Sequence, residues 1–283
     1  MKVAVGLYLN FNIRRGDVVC VILPNIPEYP FIVFGILTAG GVFTGGNTSS
    51  HSDELTKQIT HSEAKLIITD AISYHKVQHL VAQIPIIIVG PHDPLEGITP
   101  IEKLYETDTN NVCLPQVLQE DLCALPFSSG TTGVSKGVMI THRNLIANLC
   151  STLFDLERAN LSPGQNVTLG LMPFFHIYGF TGICCSTLRS KGTVVVLARF
   201  ELRLFLNALI DYGVTFAPIV PPIILALVKN PLVNEFDLTK LKLLAVMTAA
   251  APLAPDLQKS FEEKFPGVII QEVCILKLLW FEL

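Results

Sequence analysis

Charge is scarce in this sequence. Only 16% of its 283 residues are Asp, Glu, Lys or Arg, and a net charge of −4 leaves no basic excess for general nucleic-acid binding. No Lys/Arg block stands out, so no nucleic-acid partner is expected. Paired cysteines are missing too. The seven, Cys20, Cys113, Cys123, Cys150, Cys184, Cys185 and Cys274, are odd in number, scattered and without a C-x-x-C pair. That argues against a disulfide framework and fits a reduced, intracellular compartment. The start lacks a long apolar segment followed by a small-residue cleavage site, so no secretory signal is read there. Residues 29–52 and 161–188 carry no Asp, Glu, Lys or Arg over a membrane-spanning length. Pro, Gly, Asn, Ser and Thr nevertheless cut both into strand- and helix-sized pieces, which reads as buried core and not as a transmembrane segment.

Apolar residues, by contrast, make up half the chain, enough for a sizeable core without metals or disulfides. Short β-branched runs alternate with longer helix-like segments: DVVCVIL (17–23), PEYPFIVFGILTAG (27–40), DELTKQITHSEA (53–64), KLIITD (65–70) and IPIIIVG (84–90). This is the pattern of βαβ units and an α/β fold with a parallel-rich sheet. The S-x-x-D spacing at 50–53 predicts a helix start. Residues 91–121, polar and broken by prolines, predict a surface connection with one short helix at 101–105. The alternation resumes through DLCALPFSS (121–129), GVMITH (137–142), a helix at 143–157, NVTLGLMPFF (166–175), GTVVVLAR (192–199), a helix at 201–213, VTFAPIV (214–220) and LKLLAVMT (241–248).

Between two of these runs lies SSGTTGVSKGV: Ser128, Ser129, Gly130, Thr131, Thr132, Gly133 and, three residues on, Lys136. Hydroxyls and backbone N–H groups donate to phosphate oxygens, glycines let the backbone approach closely, and a lysine adds a mobile positive charge. The loop is therefore a phosphate cradle by chemistry. It is not a P-loop, because Ser135, where that motif has glycine, precedes Lys136 and a further strand follows. A flexible Ser/Gly turn is the competing reading for any such cluster. Two other patterns are read as structural. His75 and His79 stand four apart on an expected helix but lack a third ligand at metal-site spacing, so no metal site is predicted. Cys184 and Cys185 are read as small buried hydrophobes.

The order of residues in SSGTTGVSKGV, followed by THRN at 141–144, resembles the signature of the adenylate-forming superfamily. LMPFFHIYGF (171–180), ARFE (198–201), VTFAPIVPPIILALVKNP (214–231) and MTAAAPLAPDL (247–257) extend the resemblance, which is strongest to plant 4-coumarate:CoA ligases and their fatty-acyl-CoA synthetase relatives. It implies the large N-terminal domain of that fold, with parallel-rich sheets flanked by helices. It also implies a two-step ligase that uses ATP, Mg2+ and coenzyme A on a small-molecule carboxylic acid. Ser128 through Gly133 and Lys136 would grip the ATP phosphates, and Arg199 would contact coenzyme A. His176 would gate the acyl pocket, with Tyr178, Gly182, Ala250 and Glu272 contacting substrate. Gly182 would leave space for an aliphatic acid.

The pattern stops at Glu272. Where the family continues with Tyr-Gly-x-Thr-Glu, this chain reads VCILKLLWFEL (273–283). The expectation is a partial AMP-binding large domain over 1–283, without the small C-terminal lid domain. Three readings follow: a 4-coumarate or related phenylpropanoid ligase, a medium- or long-chain fatty-acyl-CoA synthetase, and an inactive fragment or nucleotide-binding remnant. The expected location is cytoplasmic; Phe-Glu-Leu is no peroxisomal signal, and a peroxisomal address stays open if the authentic C-terminus lies elsewhere.

Overall fold

The computed structural model describes residues 1–93, 97–128, 136–158, 164–248 and 251–272. They fall into two compact units, Met1–Ile146 and Ala147–Leu283.

The first unit runs α1 (Lys2–Asn10), β1 (Val18–Ile22), α2 (Glu28–Thr38), β2 (Val42–Gly45), α3 (Ser52–His61), β3 (Leu66–Asp70), α4 (Ala71–Tyr74), β4 (Ile86–Val89), β5 (Ile98–Pro100), α5 (Glu102–Tyr105), β6 (Leu122–Ala124), β7 (Phe127–Ser128), β8 (Lys136–Gly137) and β9 (Ile140–Thr141). Seven of these strands form a sheet in the order β5-β4-β3-β1-β2-β6-β9, parallel except for β6 against β9. Every residue of β1, Val-Val-Cys-Val-Ile, is buried, as a central strand covered on both faces requires. Register pairs Val18 with Val42 and Val19 with Leu66. Burial pushes the Cys20 thiol up to about 12, so it behaves as a core hydrophobe.

Several expectations shift in detail. Helix α3 begins one residue later than the S-x-x-D spacing suggests: the Glu54 carboxylate, a methylene longer than Asp53, reaches back to the His51 N–H at 3.3 Å. Hydrogen bonds from the Ser50 hydroxyl and that amide hold Glu54 below the usual carboxylate range. His75 and His79 do not share a helix, because α4 ends at Tyr74 and His79 lies on a 3₁₀ turn, Gln78–Leu80, with its Nε2 3.0 Å from Thr56 Oγ1. Pro126 splits the run 121–129 into β6, in the main sheet, and β7, in a separate two-stranded hairpin with β8. Residues 91–121 contain the expected short helix but also β5, paired in parallel to β4.

Helix α6 (His142–Arg158) begins in the first unit and ends in the second. The second unit continues with β10 (Val167–Gly170), a π-helix (Tyr178–Cys185), α7 (Ser186–Arg189), β11 (Thr193–Val196), α8 (Leu202–Asp211), β12 (Phe216–Ile219), α9 (Pro221–Lys229), β13 (Ala245–Thr248), α10 (Pro255–Lys264) and β14 (Ile269–Glu272). Its five strands are all parallel, in the order β11-β10-β12-β13-β14. Phe205, Leu206 and Leu209 of α8, Ile224 and Leu227 of α9, and Phe261 of α10 close over Ala217 and Val246 of the sheet. Burying each such Leu, Ile or Phe contributes about 1.5–3 kcal/mol. Among the described residues, no helix is long and apolar enough to cross a membrane.

Candidate functional site

In the first unit, the phosphate-cradle residues are framed by the β7–β8 hairpin, which pairs Phe127 with Gly137 and Ser128 with Lys136. Ser129, Gly130, Thr131, Thr132 and Gly133 lie outside the described residues, as does the side chain of Ser128. The strands expected to flank them are present: Val138 N–H donates to the Pro126 carbonyl at 2.9 Å, and a Cβ on Gly137 would stand 3.3 Å from the Phe127 ring. Lys136 is exposed and makes no ion pair among the described residues, so its ammonium is available to an anion.

The THRN that follows has a structural task. Thr141 Oγ1 donates to Asn144 Oδ1 at 2.8 Å while Asn144 N–H donates back to Thr141 Oγ1 at 3.2 Å, a reciprocal cap on α6. At the same point the His142 N–H donates to the Asp121 carbonyl. The Asp121 carboxylate, held low first by the Arg15 guanidinium, accepts from Leu118 N–H. The hairpin is thus followed, after β9, by a capped helix.

In the second unit, His176, Tyr178 and Gly182 follow the carboxyl end of β10, Arg199 follows that of β11, and Glu272 closes β14; open α/β sheets bind ligands at this end of their strands. The segment PFFHIYGF leaves β10. His176 N–H donates to the Pro173 carbonyl at 3.1 Å, and a Cβ on Gly179 would stand 2.0 Å from that same oxygen, so only glycine fits. Tyr178 N–H donates to His176 Nδ1 at 3.3 Å. A ring nitrogen that accepts is unprotonated, which places the proton on Nε2 of a neutral imidazole. Protein around the ring agrees, holding His176 below its ordinary value although the residue reaches the surface.

Tyr178 donates its hydroxyl to Met247 Sδ of β13 at 2.9 Å, and burial pushes its phenol above the ordinary value. Its ring lies against Gly182, where a Cβ would stand 3.0 Å from the ring edge. On that side the Gly182 Cα faces the Tyr178 ring.

At the carboxyl end of β13, Thr248 pairs in register with Glu272 of β14. The Thr248 side chain is fully buried, and its hydroxyl has no hydrogen-bond partner among the described residues. Glu272 Oε1 accepts the Leu253 N–H at 3.1 Å, bracing the chain that leaves β13. Ala250 lies outside the described residues. Arg199 is exposed after β11. Cys184 and Cys185 are buried, and the Cys184 thiol is pushed up to about 12 by burial. Among the described residues there is no His, Cys, Asp or Glu group that could hold a metal ion.

Sequence reasoning passed over Gly179, Thr181, Met247 and Thr248 as individual residues. All four lie inside the quoted runs, and the glycine in HIYGF was the available signal.

The AMP-binding enzyme profile matches residues 1–274. The chain belongs to the AMP-binding enzyme family. Within it, the chain is 57% identical over 268 residues to 4-coumarate–CoA ligase-like 1 of Arabidopsis thaliana, covering 93% of this chain and 48% of that protein. It is 37% identical over 267 residues to 4-coumarate–CoA ligase 1 of Petroselinum crispum, covering 94% and 48%. The chain thus spans about half the length of the curated AMP-binding relatives it matches. Two solved structures share its fold. A red-emitting luciferase from Phrixothrix hirtus superimposes with a TM-score of 0.82 at 22% identity, over 94% of this chain and 52% of that one. The N-terminal domain of FACL13 from Mycobacterium tuberculosis does so at 0.78 and 21%, over 96% and 65%. The fold is that of the AMP-binding N-terminal domain, as the residue patterns implied.

Proposed function

We propose that this chain carries the acid- and nucleotide-binding portion of an ATP-dependent carboxylic acid:CoA ligase, with 4-coumarate or a related phenylpropanoid acid as substrate. The observation that carries the reading is the 57% identity to a 4-coumarate–CoA ligase-like protein across nearly the whole chain. In the first step a carboxylate oxygen bonds to the α-phosphorus of ATP and pyrophosphate leaves. In the second the thiol of coenzyme A bonds to the acyl carbon and AMP leaves. Such transfers depend on positioning and on neutralising charge. Ser128 to Gly133 and Lys136 would hold the β- and γ-phosphates, with Mg2+ as their counter-ion. His176 and Tyr178 would border the acyl group, Ala250 and Glu272 the adenylate, and Arg199 would meet coenzyme A. We place the reaction in the cytoplasm and read residues 1–283 as one partial large domain.

A fatty-acyl substrate is the second reading, and one observation favours it. Gly182 has no side chain to hydrogen-bond, and the Tyr178 hydroxyl already donates to Met247, so neither residue has a free side-chain donor for a phenolic acid.

The test is acid-dependent exchange of pyrophosphate into ATP, run with 4-coumarate and with decanoate. The 283-residue chain would be compared with the same chain continued after Glu272 by the matching remainder of the Arabidopsis relative. The continued protein should exchange with 4-coumarate, and the 283-residue chain should form no CoA thioester. Exchange with decanoate alone would move the assignment to fatty acids. No exchange with either acid, but saturable ATP binding, would leave a nucleotide-binding remnant.

A further inference from the structure

The segment that carries Tyr178 is built in an uncommon register. An α-helix closes each N–H onto the carbonyl four residues back. Between Tyr178 and Cys185 the chain runs as a π-helix, and at its end Ser186 N–H is shared between the Thr181 carbonyl, five residues back, and the Ile183 carbonyl, three back. Ordinary α-helix follows immediately in Ser186–Arg189. Wide turns of this kind are rare and concentrate at functional sites.

The side chains at its start explain why it stays wide. Phe180 N–H still bonds the His176 carbonyl in α fashion at 3.0 Å. The next α-type bond would bring Thr181 N–H to the Ile177 carbonyl, yet that carbonyl takes the Thr181 hydroxyl at 2.7 Å. A hydroxyl on the carbonyl four residues back competes with the backbone for it; Thr38 in α2 and Thr56 in α3 make the same bond and stay α-helical, so at Thr181 it acts together with the two glycines beside it. Gly179, which clears the Pro173 carbonyl, and Gly182, which lies under the Tyr178 ring, supply the room a wide turn needs. Slipping the register by one residue would rotate side chains by about 100° around the axis and carry Tyr178 off Met247.

We infer that Thr181 is a positioning residue for the acyl pocket: its hydroxyl holds the π register, and the register sets Tyr178 against Met247. The inference rests on the ligase reading for the meaning of the pocket, but not for the register itself.

Thr181→Val keeps the branched shape and removes the hydroxyl; Thr181→Ser keeps the hydroxyl and serves as the rescue. Two measurements on the 283-residue chain decide the matter. Amide hydrogen exchange over residues 178–186, without ligand, should quicken about tenfold in Thr181→Val and match wild type in Thr181→Ser. The dissociation constant for 4-coumarate by calorimetry should rise five- to tenfold in Thr181→Val only. Unchanged exchange in Thr181→Val overturns the register claim. Altered exchange with unchanged affinity overturns the positioning claim. If wild type binds no 4-coumarate, the positioning claim falls together with the substrate assignment, while the exchange data still decide the register. Should Thr181→Val fail to fold, Thr181→Ala takes its place under the same criteria.

Discussion

Lys136 and Tyr178, one candidate residue from each unit, are held in opposite ways. Lys136 stands on a two-stranded hairpin outside the seven-stranded sheet, exposed and without an ion pair among the described residues. Tyr178 is packed against Gly182, bonded to Met247 and fixed by a π-helix. The contrast follows from the work each would do. An ammonium that must meet phosphate gains from remaining hydrated and mobile until the anion arrives, whereas an aromatic wall defines shape only if it cannot move. Substitutions should therefore separate the two: changes at the hairpin should cost ATP binding and spare the fold, whereas changes around Tyr178 should disturb the local structure and, with it, acid binding.

The largest effect should come from Gly179→Ala. Its Cβ would fall 2.0 Å from the Pro173 carbonyl oxygen, and backbone cannot yield as a side-chain tip can. We expect a loss of about 3 kcal/mol of stability, read as a lower urea midpoint. A normal midpoint would break the contrast from the second unit's side.

Lys136→Ala should weaken ATP binding by about 1.5–3 kcal/mol, the worth of a charge-assisted hydrogen bond, with no change in the urea midpoint. Calorimetric titration of ATP into wild type and variant, alongside the denaturation curves, checks both halves. A variant that unfolds more readily would show the lysine to be structural.

Acidity should act mainly through histidines. His176 and His142 are both held below their ordinary value of 6.5, first by burial. Below that pH the unfolded chain takes up protons that the folded chain resists, so stability should fall as pH drops from about 6.5. Urea midpoints at pH 7.5 and 5.5 should show the loss, and His176→Gln should lessen it. An unchanged slope in the variant would mean that the ring is free to charge in place.

The smallest effect belongs to Thr248→Val. Valine has the shape of threonine without the unpartnered hydroxyl, so stability should stay level or rise by up to about 1 kcal/mol. A fall in thermal midpoint would reveal a partner for that oxygen.

How much of this was legible in the sequence depended on how local each cause is. Strands β1, β3 and β4 were readable because buried parallel strands are continuous apolar runs, and α2 and α8 because their length and composition set them apart. α1 was not. Its seat against α2 depends on Gly35, where a Cβ would stand 2.4 Å from Val3, and Gly6 performs the same service against Leu104 of α5. Such contacts join residues about thirty and a hundred positions apart, beyond any local window. β5 was missed because its three residues are only half-buried and their partner is β4. At the candidate site, residue types and spacing pointed to the cradle and to PFFHIYGF. That Tyr178 lies against Gly182 and that THRN caps α6 are short-range contacts, signalled by i, i+4 and i, i+3 spacing, whereas the bond from Tyr178 to Met247, 69 residues away, depends on three-dimensional packing and was out of reach.

The place of β6 beside β2 carries a cost in time. Thr44 Oγ1 donates to the Leu125 carbonyl, 81 residues further along, and Phe43 pairs with Ala124. At synthesis speeds of about 5–20 residues per second, β2 would leave the ribosome roughly 4–16 s before its neighbour exists. During that interval Val42 and Phe43, buried in the finished protein, would lie along a bare strand edge. A nascent chain of this kind is a natural client for a chaperone, and slowing translation beyond Gly45 should lengthen its exposure and increase aggregation.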